Sequence, residues 1–434
     1  MTPHPPPPAI AAYLAKRAIT APWRVTAPPE HPCRGAVVIP ALAECALLEK
    51  TLASLAANPR RLLAQFLILV VVNHTSDASP AEQADNRTTL ERLPTWKLGH
   101  GLSQLCWVDA ASPGLELPPK QGVGLARKIG LDLALPLLDY QAGDPLLVCL
   151  DADTIVQPDY LTAITSHFVN SRAGGASIPF RHQPARDPAG QAAIDRYELF
   201  LRGYVLGLEL AGSPWAFHTV GSAMACRASA YAASGGMNRR LAGEDFYFLQ
   251  QLHKVAGVAP LTGTVVHPSP RSSHRVPFGT GRAVGDMLAD GQGRLMFYRP
   301  ELFDLLGEWL ACVAGHEGMD GAELLARGAA IDAALGTFLE GAGFGAAWDN
   351  MQRHNRDGVR LMTAFHGWFD AFRTMRLMHH LTDNGYPRVE PEQALAPLLR
   401  RAGVSCPPTV PAMLELLRIR QLAGDSGCTI PLNT

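Results

Sequence analysis

The chain has 434 residues, room for roughly two to three domains at about 150 residues each. Hydrophobic residues make up 47%, charged residues 18%, and the formal net charge is −1. That balance is globular and excludes bulk attraction to nucleic acid or an anionic membrane. The eight cysteines form no C-x-x-C pair. This argues against a zinc site or disulfide framework and suggests buried thiols in a reducing, cytoplasmic setting.

The start, with Pro3 and the prolines at 5–8, lacks the basic and apolar regions of a signal peptide and reads as an extended or disordered lead. The longest purely apolar run, 66–72, is too short to span a bilayer. Residues 34–40 read as a first strand. A helix is expected over 44–57, from the spacing of Leu47, Leu48, Leu52 and Leu55. Residues 66–73 form a second strand whose unbroken apolar run suits a parallel sheet buried on both faces. Residues 75–100 read as a polar loop holding a short helix over 80–93. A strand at 105–109, a helix at 122–135 stopped by Pro136, and a strand at 146–150 follow. Next come a helix at 159–170, a strand at 176–180, a helix at 194–210, a short strand at 223–227, a helix at 244–255 and a strand at 264–266. Strands alternating with helices imply right-handed βαβ units.

Beyond residue 283 only helical spacing remains, at 302–313, 321–339 and 358–381. The chain therefore divides into a proline-rich extension at 1–33, an α/β domain at 34–282 and a helical region at 283–434. Phe365, Trp368, Phe369 and Phe372 read as core of that helical region. His379 and His380 are adjacent on a helix and do not face one metal site.

Asp151-Ala152-Asp153 stands at the end of the apolar run 146–150. Two unpaired carboxylates there are costly to bury. A divalent cation removes that cost, and oxygen ligands suit Mg²⁺ or Mn²⁺ bridging to a substrate diphosphate. Asp153 is expected to ligate the metal directly. Asp151 is expected to contact ribose or to reach the metal through water. The strand ends at Pro40-Ala41 and Asn73 can form a slot for a nucleotide base, with Glu44 just beyond on the donor side. Gly122 and Gly124 permit close backbone approach, and Arg127 and Lys128 bring charge to a helix start that favours phosphate. Glu244-Asp245 forms a second acidic pair after Gly243. Arg271 and Arg275 lie in the loop 268–281, which its glycines Gly279 and Gly281 allow to close, and can then grip a diphosphate or an anionic acceptor.

The order of these motifs resembles that of the GT-A glycosyltransferases, family 2 most closely, over about residues 34–280. The resemblance implies a Rossmann-like, mostly parallel sheet flanked by helices, here with a C-terminal helical appendage. It implies a metal-dependent glycosyltransferase (a hexosyltransferase type) using a UDP- or GDP-sugar and an unknown, small acceptor. In inverting members the Asp of the Glu-Asp pair is the base, which falls on Asp245 with Glu244 beside it. A histidine after the last strand often joins the metal, which falls on His267, with His274 as competitor. Asn73 stands where the family often has acidic residues, so the base is open. Retaining enzymes of the mannosylglycerate synthase type are also similar; there Asp245 would arrange acceptor or metal. Two rivals remain. A nucleotidyltransferase would need a glycine-rich basic loop where Pro40-Ala41-Leu42-Ala43-Glu44 stands, and a binding module without turnover would not need both acidic pairs. No nucleic-acid partner and no transmembrane segment are expected, and an oligomer is left open.

Overall fold

A computed structural model describes residues 5–19, 21–271, 279–289 and 295–424. Contacts divide the chain into two compact units. The first holds residues 1–194, 219–289 and 418–426, and the second holds 195–218, 290–417 and 427–434.

The strands, all in the first unit, are β1 (Val25–Thr26), β2 (Gly35–Ala41), β3 (Phe66–Asn73), β4 (Leu105–Ala110), β5 (Leu146–Cys149), β6 (Ile155–Val156), β7 (Gly175–Ser177), β8 (Met224–Arg227), β9 (Val258–Pro260) and β10 (Val266–His267). Its helices are α1 (Pro8–Lys16), α2 (Cys45–Ala56), α3 (Arg60–Leu63), α4 (Pro80–Gly99), α5 (Val123–Ala134), α6 (Tyr160–Asn170), the first turns of α7 (Pro188–Leu210), α8 (Ala228–Ala233), α9 (Glu244–Ala256) and α10 (Thr280–Ala289). The second unit takes the rest of α7, then α11 (Pro300–Gly315), α12 (Gly321–Ile331), α13 (Ala333–Gly341), α14 (Phe344–His354), α15 (Gly358–Trp368), α16 (Ala371–Asp383), α17 (Pro391–Arg401) and most of α18 (Val410–Ala423).

Eight strands form one sheet in the order β1-β4-β3-β2-β5-β8-β7-β9. The neighbours β4, β3, β2 and β5 are parallel; β8 runs antiparallel between β5 and β7, and β7 pairs parallel with β9. The expected fold class, a mostly parallel sheet flanked by helices with a C-terminal helical part, is present. Every residue of β2 and β3 is buried, as unbroken apolar runs in a two-sided sheet must be. From β2 the chain steps outward to β3 and β4, then returns to place β5 on β2's other side. That reversal makes the carboxyl ends of β2 and β5 a topological switch point, where open α/β sheets bind ligands. A small second sheet pairs β6 with β10, setting His267 opposite Ile155.

Several elements differ from expectation. The proline-rich lead contains the helix α1, which buries Ile10 and Tyr13; the Tyr13 hydroxyl donates to Asp132 at 2.7 Å and Lys128 Nζ donates to Tyr13 at 2.7 Å. Lys128 also pairs with Asp132 at 3.0 Å, so its charge is spent inside rather than on phosphate. The segment read as mostly loop is the 20-residue helix α4, opened by a Ser79–Glu82 capping box and continuing past Pro94. The helix expected over 321–339 breaks at Asp332 and the one over 358–381 breaks at Phe369-Asp370.

The second unit has its own core of Trp309, Phe344, Trp348, Phe365, Leu377 and their neighbours, to which α7 adds Leu199, Leu206 and Leu208. Phe365 and Phe369 lie in that core and Trp368 packs on it, as expected. Phe372 is half-buried and is not among the core residues. Among the described residues no helix is long and apolar enough to cross a membrane. The seven described cysteines are free, five of them buried, and Cys428 lies outside the described residues.

Candidate active site

The switch point gathers the residues. Pro40 and Ala41 end β2, and the turn beyond puts Ala43 at φ 48°, a strained value for a residue with a side chain. Helix α4 pins this turn. Asn86 accepts from the Ala43 amide at 2.8 Å, Asp85 accepts from the Cys45 amide at 3.0 Å, and Asn86 Nδ2 donates to the Asn73 carbonyl at 3.0 Å. The ends of β2 and β3 are thus fixed together. The Asn73 side chain is buried there, and its Oδ1 has no partner among the described residues.

Beside β2, the turn after β5 carries Asp151 and Asp153. Thr51 donates to the Ala152 carbonyl at 2.8 Å, and Gln183 Nε2 donates to the carbonyls of Asp153 (2.8 Å) and His267 (2.7 Å). The acidic turn is therefore clipped to β10. Arg127, one turn into α5, is 2% exposed and donates to Asp151 Oδ1 at 2.5 Å and to Glu244 Oε1 at 3.1 Å. Its Nη1 is buried without a partner among the described residues. This guanidinium joins the two acidic pairs. A side chain at Gly221 would come within 2.5 Å of Arg127 Nη2 and 3.6 Å of Asp245 Oδ2, so that glycine makes the room. Gly122 and Gly124 do allow a close approach, but to the chain at 238–241; a Cβ on Gly124 would stand 2.5 Å from the Arg240 carbonyl.

Glu244 and Asp245 open α9. Gly243 caps it at φ 68°, a left-handed conformation that glycine adopts without strain. Burial pushes the Asp245 carboxyl up to about 7, helped by the Glu244 charge beside it. Burial also raises Glu244, against the pull of Arg127.

Arg271 bridges the two strand ends. It donates through Nη2 to Glu44 and through Nε to Asp153 Oδ2 at 3.0 Å. Even so, burial, then Asp151 and then Glu44, push the Asp153 carboxyl up to about 7. Burial and two neighbouring carboxylates here outweigh one guanidinium, and a divalent cation would reverse that shift. Among the described residues no three His, Cys, Asp or Glu side chains converge as a metal cluster. Asp151 and Asp153 fit the sparser demand of Mg²⁺ or Mn²⁺, which take one or two carboxylates and complete their shell with phosphate oxygens and water. The His267 Nδ1 donates to the Arg181 carbonyl at 3.0 Å, which makes Nε2 the basic nitrogen of the neutral ring.

Arg275 and His274 lie outside the described residues, as does the rest of the stretch 272–278 in the loop expected to close over the donor. Sequence reading singles out neither Asn86 nor Gln183. Asn86 sits mid-helix in a segment read as mostly loop, and a glutamine that bonds only carbonyls leaves no motif.

No protein-family model matches the chain, and no curated relative does. Among solved structures the chain is similar to TarS of S. aureus at 12% identity, covering 90% of this chain and 88% of that one, with a TM-score of 0.36. It is similar to the mannosyltransferase PcManGT from Pyrobaculum calidifontis, in complex with GDP-Man and Mn²⁺, at 18% identity over 84% of this chain and 95% of that one (TM-score 0.39). It is also similar to glucosyl-3-phosphoglycerate synthase from Mycobacterium tuberculosis, in complex with Mn²⁺, UDP and glucosyl-3-phosphoglycerate, at 16% identity over 61% and 76% of the two chains (TM-score 0.33).

Proposed function

We propose that this protein is a metal-dependent glycosyltransferase that moves a sugar from a UDP- or GDP-sugar to a small acceptor. One observation carries the reading. At a topological switch point, Arg127 ties Asp151 to Glu244, so the two acidic pairs, 91 residues and more apart in sequence, share one buried network. Asp151 and Asp153 would hold the cation. When bound, that ion would act as a Lewis acid and neutralise charge developing on the leaving diphosphate.

The chain's own residues do the rest. The Asn73 side chain offers an unpaired acceptor to a base edge. Arg271 exchanges Glu44 and Asp153 for diphosphate oxygens. Asp245 takes the acceptor's hydroxyl proton if the reaction inverts; with a carboxyl raised to about 7 it is basic enough to do so near neutrality. If the reaction retains configuration, Asp245 orients the acceptor instead.

The direct test is a screen of purified full-length protein against UDP- and GDP-sugars with Mn²⁺ or Mg²⁺, following release of the nucleoside diphosphate with and without added hydroxyl compounds. No metal-dependent release from any donor would sink the reading. Release of pyrophosphate from a nucleotide triphosphate and a sugar phosphate would move it to a nucleotidyltransferase.

A further inference from the structure

The segment ahead of the first strand is tied into the first unit by a buried polar network. In α1, Ile10 and Tyr13 are buried. The Tyr13 hydroxyl donates to Asp132 Oδ1 at 2.7 Å and accepts from Lys128 Nζ at 2.7 Å. The Ile19 amide donates to Asp132 Oδ2 at 2.8 Å, and the Tyr231 hydroxyl donates to Oδ1 at 2.8 Å. With Lys128 at 3.0 Å, these donors satisfy a fully buried carboxylate. Tyr13 and Ile19 come from the N-terminal segment. A buried ion pair holds only when its remaining lone pairs are filled, so that segment completes a network which α5 and α8 leave open.

A second observation aims α1 at the site. Gly235 and Gly236 follow α8 at φ 86° and 78°. A Cβ on Gly236 would collide with the Tyr13 hydroxyl, and one on Gly235 would stand 2.9 Å from Arg17 Nη1. The turn is shaped around α1, and its left-handed backbone suits glycine. The chain leaving this turn leads straight to the second acidic pair. Met237 is buried, residues 238–241 pack against Gly122 and Gly124 at the start of α5, and Asn238 Nδ2 donates to the Glu244 carbonyl at 2.8 Å. Helix α5 carries both ends of the link. Lys128 holds Tyr13, and Arg127 beside it holds Glu244 and Asp151.

We propose that α1 is a clamp on the acidic loop and that Tyr13 is a positioning residue. Through Asp132 and the Gly235-Gly236 turn it holds residues 237–243 against α5 and so sets where Glu244 and Asp245 stand. The consequence for turnover rests on the glycosyltransferase reading; the clamp itself does not.

Hydrogen exchange of the full-length protein tests the clamp without any substrate. Tyr13→Phe keeps the ring and removes only the hydroxyl. Amides of 237–247 should exchange roughly fivefold faster or more, the worth of one buried hydrogen bond, while those of β2 and β3 keep their rates. Ile10→Ala should act in the same direction by loosening α1 with every polar partner in place, so the test stands even if the Tyr13 variant accumulates poorly. Unchanged exchange over 237–247 in both variants overturns the proposal. So does acceleration spread equally over β2 and β3, which is loss of global stability alone. Because no substrate is present, that failure leaves the transferase reading standing. In turnover, Tyr13→Phe should lower kcat on the order of tenfold, with the Kd for UDP or GDP plus Mn²⁺ unchanged within about twofold. Equal kcat in parent and variant, or a matching loss of nucleotide affinity, would take Tyr13 out of the positioning role. A parent that turns over no donor sinks the transferase reading and leaves the exchange result to decide the clamp.

Discussion

Asp245 and Arg271 sit in different environments, and each carries a test of the proposed reaction. Asp245 must be ionised to act as a base, and burial beside Glu244 sets its carboxyl to about 7. The rate at limiting substrate should therefore climb about tenfold per pH unit below about 7 and level above it. Asp245→Asn should remove that limb and lower turnover on the order of 10²–10⁴-fold, with donor affinity nearly unchanged. A pH–rate profile of parent and variant checks this; a variant that keeps most of its turnover takes Asp245 out of the base role. The same shift has a stability consequence. A carboxyl raised above its unfolded value lends stability below the unfolded value, and that stability is lost as pH rises through about 7. Melting temperatures should show Asp245→Asn gaining on the parent more at about pH 8 than at about pH 5. Arg271 offers a separate test. It shares Asp153 with any cation, so Arg271→Gln should tighten Mn²⁺ binding about three- to tenfold in the absence of donor while weakening donor binding. A Mn²⁺ titration that shows looser metal binding in the variant would end the idea that the two cations compete.

At the scale of elements, the site depends on α4, which sequence reading cut short. Pro94 lacks an amide donor and reads as a stop, yet Leu93 and Trp96 on either side are buried, and that packing offsets one missing helical bond. Asn86 on this helix holds both the Ala43 turn and the Asn73 carbonyl. Asn86→Ala should cost about 1–3 kcal/mol, because it removes the hydrogen bonds to the buried Asn73 carbonyl and the part-buried Ala43 amide, and should weaken nucleotide binding without touching the nucleotide. Chemical denaturation and calorimetry measure the two effects, and a variant as stable and as tight as the parent would show the turn to be held otherwise. Strands β2, β3 and β5 were legible because parallel strands buried on both faces are unbroken apolar runs. The acidic turn after β5 was legible because a carboxylate pair interrupts such a run. The bond from Arg127 to Glu244 was not, since no local pattern records a contact across 117 residues. The breaks at Asp332 and Asp370 were hidden for another reason. Each aspartate caps a new helix, accepting from Leu335 and from Arg373, within an apolar periodicity that continues across the break.

At the scale of the whole molecule, a boundary drawn at residue 283 from the loss of strand pattern meets a second unit that is not continuous in sequence. Residues 195–218, most of α7 and the loop after it, group with the helical unit. Leu199, Leu206 and Leu208 there belong to the same core as Leu302, Phe303, Leu306 and Trp309. Glu198 and Arg202, an i,i+4 ion pair at 3.0 Å, are both buried, and Trp215 Nε1 donates to the Phe369 carbonyl at 3.1 Å. A fragment ending near residue 289 keeps these donors and apolar faces but loses what covers them. Each stranded large side chain forfeits about 1.5–3 kcal/mol of burial. Such a fragment should aggregate or bind chaperones even though every strand of the sheet is intact. Size-exclusion chromatography of the fragment decides. A monodisperse, soluble fragment with full donor turnover would show that the sheet and its site need nothing from the helical unit. Aggregation rescued by replacing Leu199, Leu206 and Leu208 with polar residues would locate the cause in the stripped face of α7.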